Sequence, residues 1–108
     1  MKLTEFVEYL VNPSKLKSWY IRQNIDENSE SLAIYMKGSL NIESDIYIFD
    51  FDETEGNIEI QKDGIKYIAM LSIYMAQDFI ESDILPQKEG LINKDIANRL
   101  LAYAIYDA

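Results

Sequence analysis

A chain of 108 residues, 48% of them hydrophobic, can bury one core but leaves little surface for a deep substrate cleft. It has no Cys and no His, which excludes disulfides, thiol nucleophiles, Ser-His and Cys-His catalysis, ordinary zinc sites and a histidine pH switch. Its 19 acids against 10 bases give a net charge of -9, a balance that argues against nucleic acid or an anionic membrane as a direct partner.

Thr4 is placed to cap a first short helix, with Glu5 near its positive end and Phe6, Val7 and Leu10 on one face. Met1 to Leu10 carries two acids where a signal peptide carries bases, and no run is long enough to cross a bilayer. These features predict a cytoplasmic protein. Asn12-Pro13 ends the first helix and opens a second, because Pro is tolerated at the first helical position. That helix runs to about Gln23, burying Leu16, Trp19 and Tyr20 and leaving Lys15, Lys17 and Arg22 as a solvated basic face.

Asn24 to Ser31 reads as an acidic loop, followed by a first strand over Leu32 to Gly38. Ser44 to Gln61 then reads as a strand, a tight acidic turn and the next strand. Tyr47, Phe49 and Phe51 alternate with Ile46, Ile48 and Asp50, so both faces of that strand need cover, which predicts a position at the centre of the sheet. Glu55-Gly56-Asn57 supplies residues that tolerate positive φ, and Ile58 and Ile60 resume the alternation. Lys62-Asp63-Gly64 is a second turn, after which Ile65 to Ile68 pairs back as a fourth strand.

Ala69 to Ile73 is compatible with strand or helix, and the helix is taken from about Leu71, with Met75, Phe79 and Ser82 sharing a face with Ala76 and Ile80. Leu85-Pro86 ends it, and 87–92 connects to a last helix capped by Asn93. There Ile96, Ala97, Leu100, Leu101, Tyr103 and Ala104 form a broad apolar stripe that predicts packing on the sheet. The expected fold is α+β, a single domain over 1–108. An antiparallel three- to four-stranded meander is flanked by two N-terminal and two C-terminal helices.

The charges are unevenly placed. Between Gln23 and Ile60 stand ten acids and one base, Lys37, while the rest of the chain is balanced. In an antiparallel meander the loop entering the first strand lies beside the turn leaving the second. Asp26, Glu27 and Glu30 should therefore meet Asp52, Glu53 and Glu55 at one sheet edge, with Asp50 and Glu59 next along the adjoining strands. Like charges so gathered cost stability unless a cationic surface is their intended neighbour. The plainer use of the same acids is a solubilising surface.

Asp50-Phe51-Asp52-Glu53-Thr54, preceded by the apolar run Ile46 to Phe49, resembles the first motif of the haloacid-dehalogenase phosphatases. That resemblance implies Asp50 as nucleophile and Asp52 as general acid/base in a Mg²⁺-dependent phosphoryl transferase. It covers the pentapeptide alone, and a tight acidic turn stands where the family has a crossover helix. Glycosidase and EF-hand readings of the acids fail on spacing. The chain is accordingly read as non-catalytic, with no cofactor and no metal.

In overall profile, small, acidic and Cys-free with its charge excess in one region, the chain resembles the bacterial immunity proteins of contact-dependent growth inhibition and nuclease-bacteriocin systems. That resemblance implies a protein that is monomeric when free and forms a heterodimer with a basic toxin or nuclease domain. A phage or plasmid nucleic-acid mimic that occupies a DNA-binding enzyme is the alternative partner reading.

Overall fold

The structure is a computed structural model and describes residues 1–26, 31–84 and 92–106. Helix α1 spans Leu3–Leu10 and α2 spans Pro13–Arg22. Strands β1 (Leu32–Lys37), β2 (Ile46–Asp50), β3 (Glu59–Lys62) and β4 (Ile65–Ser72) follow. Helix α3 covers Ile73–Phe79 and runs on as a π-helical turn over Ile80–Ile84, and α4 spans Asn93–Tyr106. The α+β class, the helix count and the order of strands along the chain are those expected.

The starts of α1 and α4 differ from expectation by a residue or two. Helix α1 begins before Thr4, because Lys2 holds the cap position, where its N–H donates to Glu5 Oε1 (3.1 Å) and its C=O accepts the first helical bonds. Asn93 is the first helical residue of α4, since Ile92 C=O accepts from Asp95 and Ile96. Asn12 caps α2 as expected, its Oδ1 accepting from Lys15 N–H (3.4 Å) ahead of Pro13.

In space the strands lie in the order β2-β1-β4-β3, all antiparallel. The 44–61 stretch is therefore not the centre of the sheet; it supplies both edges. β1 is the strand buried on both faces, with Leu32, Ala33, Ile34, Tyr35 and Met36 all inaccessible. β4 also runs further than its periodicity indicated, through Leu71 and Ser72, which pair with Ile34 and Ala33. A bulge where the register shifts, between Ile34 and Tyr35, turns both Met70 and Leu71 into the main core. Ser72 Oγ then accepts from Met75 N–H (3.1 Å) and starts α3 two residues later than expected. On α3 the buried face is Ile73 and Ala76, continued by Ile80, while Met75 is exposed.

The helices gather on one face. Leu3, Phe6, Val7 and Leu10 of α1, Leu16 and Tyr20 of α2, and Ile96, Ala97, Leu100 and Leu101 of α4 form one core with Ile34, Met36 and Ile46 of the sheet. Phe79 stacks on Tyr103 at 4.3 Å, tying α3 to α4. The opposite face carries a second, aromatic cluster: Ala33, Tyr35 and Tyr67, with Phe49, Phe51, Ile60, Ile65 and Ala69 packed against them. Its cover is the segment 51–58, which leaves one sheet edge and reaches the other.

Candidate protein-binding site

The chain leaves β2 by one helical turn. Asp50 C=O accepts from Glu53 N–H (3.0 Å) and Thr54 N–H (3.1 Å), and Asp50 Oδ1 accepts from Asp52 N–H (2.9 Å), so Asp50 caps this turn with its carboxylate at the positive end. The turn closes with Gly56 N–H donating to Phe51 C=O (2.8 Å) and Glu55 N–H to Asp52 C=O (3.4 Å), the two bonds of a Schellman motif. That closure needs left-handed backbone, which Glu55 (φ 57°) and Gly56 (φ 73°) supply. The expectation of positive φ at this point holds, although the turn joins strands that do not pair.

Beneath the turn, Tyr35 is fully buried and its hydroxyl donates to Asn57 C=O (2.8 Å) and meets Thr54 Oγ1 (3.0 Å). Thr54 is the buried polar residue of the described chain, and its hydroxyl also reaches Phe51 C=O (3.2 Å). The acidic segment is thus pinned to the middle strand of the sheet rather than hanging from an edge.

Of the expected site residues, the turn brings Asp50, Asp52, Glu53 and Glu55 together, with Asp52, Glu53 and Glu55 exposed. Ser31, the first described residue after the acidic loop, joins them: its C=O accepts from Phe51 N–H (2.9 Å) and its Oγ donates to Asp52 Oδ2 (3.3 Å). Ser31 thus joins the entry of β1 to the turn. Asp26 is exposed just beyond α2, and Glu27 and Glu30 lie outside the described residues.

Glu59 is not part of this group. It pairs with Ile68, which pairs with Met36, which pairs with Ile46, so it stands across the whole sheet, level with the far end of β2 from Asp50. Three strand spacings put it about 14 Å from β2. There it makes an ion pair with Lys66 (3.8 Å). The expectation assumed that β2 and β3 were neighbours; the crossing segment separates them. Asp45 is also used internally. Its carboxyl is held below the usual range, first by a hydrogen bond from Lys2 and then by the charge of that ammonium (3.1 Å), with the N-terminal amine at 3.7 Å.

Sequence reasoning missed the ring system beside the acids. Tyr47 and Phe49 each meet Tyr67 edge-on (5.1 and 5.3 Å), Phe49 meets Tyr35 (5.3 Å), and Lys62 Nζ lies 4.4 Å from the Phe49 ring centre. The alternating Tyr47 and Phe49 of β2, with Tyr67 in β4, were the available signal, readable once the two strands are known to flank β1. Elsewhere, an open depression of about 430 Å³ between α1 and α2 is lined by Glu8, Tyr9, Ser14, Lys15, Ser18 and Arg22, with Lys15 paired to Glu8 (2.6 Å). Among the described residues no three acids gather as a metal site, and no helix is long and apolar enough to cross a membrane.

The pentapeptide that resembles a phosphatase motif sits at the end of an antiparallel edge strand, and the Asp50 carboxylate is engaged by the turn it caps. Comparison with family models, with curated proteins and with solved structures finds no match.

Proposed function

We propose that the protein is a non-catalytic inhibitor that binds a basic protein domain through its acidic turn, in the manner of an immunity protein that neutralises a nuclease-type toxin in the cytoplasm. The observation that carries this reading is the turn itself. Asp50, Asp52, Glu53 and Glu55 stand on six residues without a base and are held rigid by a cap, a Schellman closure and the Tyr35 hydroxyl. A solubilising surface needs charge but no such fixation. A rigid acidic projection presented to a cationic surface gains encounter rate and loses little conformational entropy on docking. The free protein acts as a monomer and forms a heterodimer with its partner.

The test is rescue of growth. The reading frame beside this one should encode a protein ending in a basic domain whose expression arrests growth, and co-expression of this chain should restore it. Reversing Asp52, Glu53 and Glu55 to Lys should abolish rescue while the urea midpoint changes little, since exposed turn residues carry little stability. Full rescue by the triple reversal would remove the turn from the interface.

A further inference from the structure

The two edges of the sheet are unlike. β3 exposes Glu59, Gln61 and Lys62, a mixed-charge edge of the kind that discourages further pairing. β2 reads Ile-Tyr-Ile-Phe-Asp, without Lys or Pro, and ends beside the acidic turn.

The direction of its backbone groups follows from the register. Lys37 N–H donates to Asp45 C=O (3.0 Å), and Phe51 N–H donates to Ser31 C=O (2.9 Å). Bonded pairs alternate along an antiparallel ladder, so Tyr47 and Phe49 turn their N–H and C=O groups to β1, and Ile46, Ile48 and Asp50 turn theirs outward. On the outer side Met1 C=O takes Ile46 N–H (2.8 Å) and Lys2 bridges Asp45; the cover ends there, and among the described residues no strand lies against Ile48. Tyr47 is 39% exposed on one side of this edge. Natural sheets blunt such an apolar edge with charge, proline or cover, and β2 has none of these along Tyr47 to Phe49.

We infer that the basic partner adds an extended segment to the outer edge of β2, bonding to Ile48 N–H and C=O, with cationic side chains carried onto Asp52 and Glu53. Alternate side chains of that segment would lie beside the rings of Tyr47 and Phe49, and the others on the side that carries Asp50. This rests on the acidic-turn reading, which supplies the sign of the partner's charge. A second copy of the chain is disfavoured, because pairing β2 with itself brings two acidic turns onto one short ladder and joins two molecules of net charge -9.

The probe is a short peptide of alternating Lys and Val, compared with the same peptide N-methylated at every backbone nitrogen, which keeps its charge but has no N–H on either edge to complete a ladder. The unmodified peptide should bind at least about tenfold more tightly and should slow amide exchange at Ile48, with Tyr47 and Phe49 already protected by β1. Equal binding of the two peptides without slowing at Ile48 overturns strand addition and leaves the acidic-turn reading standing. Unchanged binding of both to the Asp52, Glu53 and Glu55 reversal overturns the acidic-turn reading and this inference with it. Slowing at Ile48 that grows with protein concentration alone, together with sedimentation as a dimer, assigns the edge to a second copy and overturns the inference.

Discussion

Tyr35→Phe isolates the contact that holds the acidic segment to the sheet, because it removes one oxygen from a fully buried ring and leaves the packing of that ring in place. Three contacts converge there, Tyr35 to Asn57 C=O (2.8 Å), Tyr35 to Thr54 (3.0 Å) and Thr54 to Phe51 C=O (3.2 Å), and two hydroxyl protons must serve them. The shortest assigns the Tyr35 proton to Asn57, so Thr54 donates to the Tyr35 oxygen, sharing its proton with Phe51. Loss of the Tyr35 oxygen removes one bond outright, worth about 0.5–1.5 kcal/mol. Thr54 retains Phe51, and Asn57 is exposed enough for water to reach its carbonyl, so the larger penalty of a stranded buried group is avoided. The expected cost is therefore about 1–2 kcal/mol, with Thr54→Val in the same range and a coupling between them of about 0.5–1.5 kcal/mol in a double-mutant cycle. Urea midpoints of the parent, the two single variants and the double variant measure it. Additive losses, or a loss below about 0.3 kcal/mol for Tyr35→Phe, would mean that the hydroxyl does not pin the turn.

Leu100→Ala should cost about 2–5 kcal/mol, since Leu100 is fully buried in the helical core, and Phe49→Ala should cost less, about 1–3 kcal/mol, because that ring is only half-buried; urea midpoints in the reverse order would mean that the aromatic face carries more of the stability than the helical one. Burial of Tyr20 raises its phenol from 10.0 to about 12. The fold therefore favours the neutral form, and that contribution is present below pH 10 and lost as pH rises toward 12. Tyr20→Phe should flatten the fall in stability across this window, and an identical alkaline profile for parent and variant would place the loss elsewhere. Glu55→Gly should stabilise by about 0.5–1 kcal/mol, because it relieves a left-handed non-glycine residue and removes one of the crowded acids; a lower urea midpoint would show that the Glu55 side chain makes a stabilising contact in the turn.

Local signals carried most of the elements and failed where pairing over distance decided the outcome. Asn12-Pro13 and Lys62-Asp63-Gly64 were legible because a cap and a two-residue hairpin turn are written in adjacent residues; Asp63 (φ 53°) and Gly64 (φ 78°) take the backbone such a turn requires. The helix start at Ile73 was less legible, since Met70 and Leu71 suit either element and only the pairing of Leu71 and Ser72 with Ile34 and Ala33 of β1 carries the strand past them. The place of β2 was not legible at all. A strand apolar on both faces reads as central, yet β2 is at an edge. Its two faces are covered by the helical core at Ile46 and by the rings around Phe49, and neither neighbour is adjacent in sequence. The same error displaced Glu59, whereas Asp50, Asp52, Glu53 and Glu55 lie on one local turn whose geometry does not depend on which strands pair.

The acidic turn sets two opposing terms against each other, and their relative size bears on what the turn is for. Four acids on six residues repel one another, and Glu55 adds the strain of a left-handed backbone at a non-glycine position, about 1–2 kcal/mol. Against this stand the Asp50 cap and the Tyr35 and Thr54 hydroxyls, contacts that bond mainly to the backbone of the segment and leave the carboxylates of Glu53 and Glu55 outside. Polar contacts made for stability alone would engage the charges, as Lys2 engages Asp45 and Lys66 engages Glu59 elsewhere on the same sheet. Fixing the backbone while leaving those charges to solvent is the arrangement that lowers the ordering cost of a charged contact. A cation from another molecule would then remove the repulsion in the act of binding.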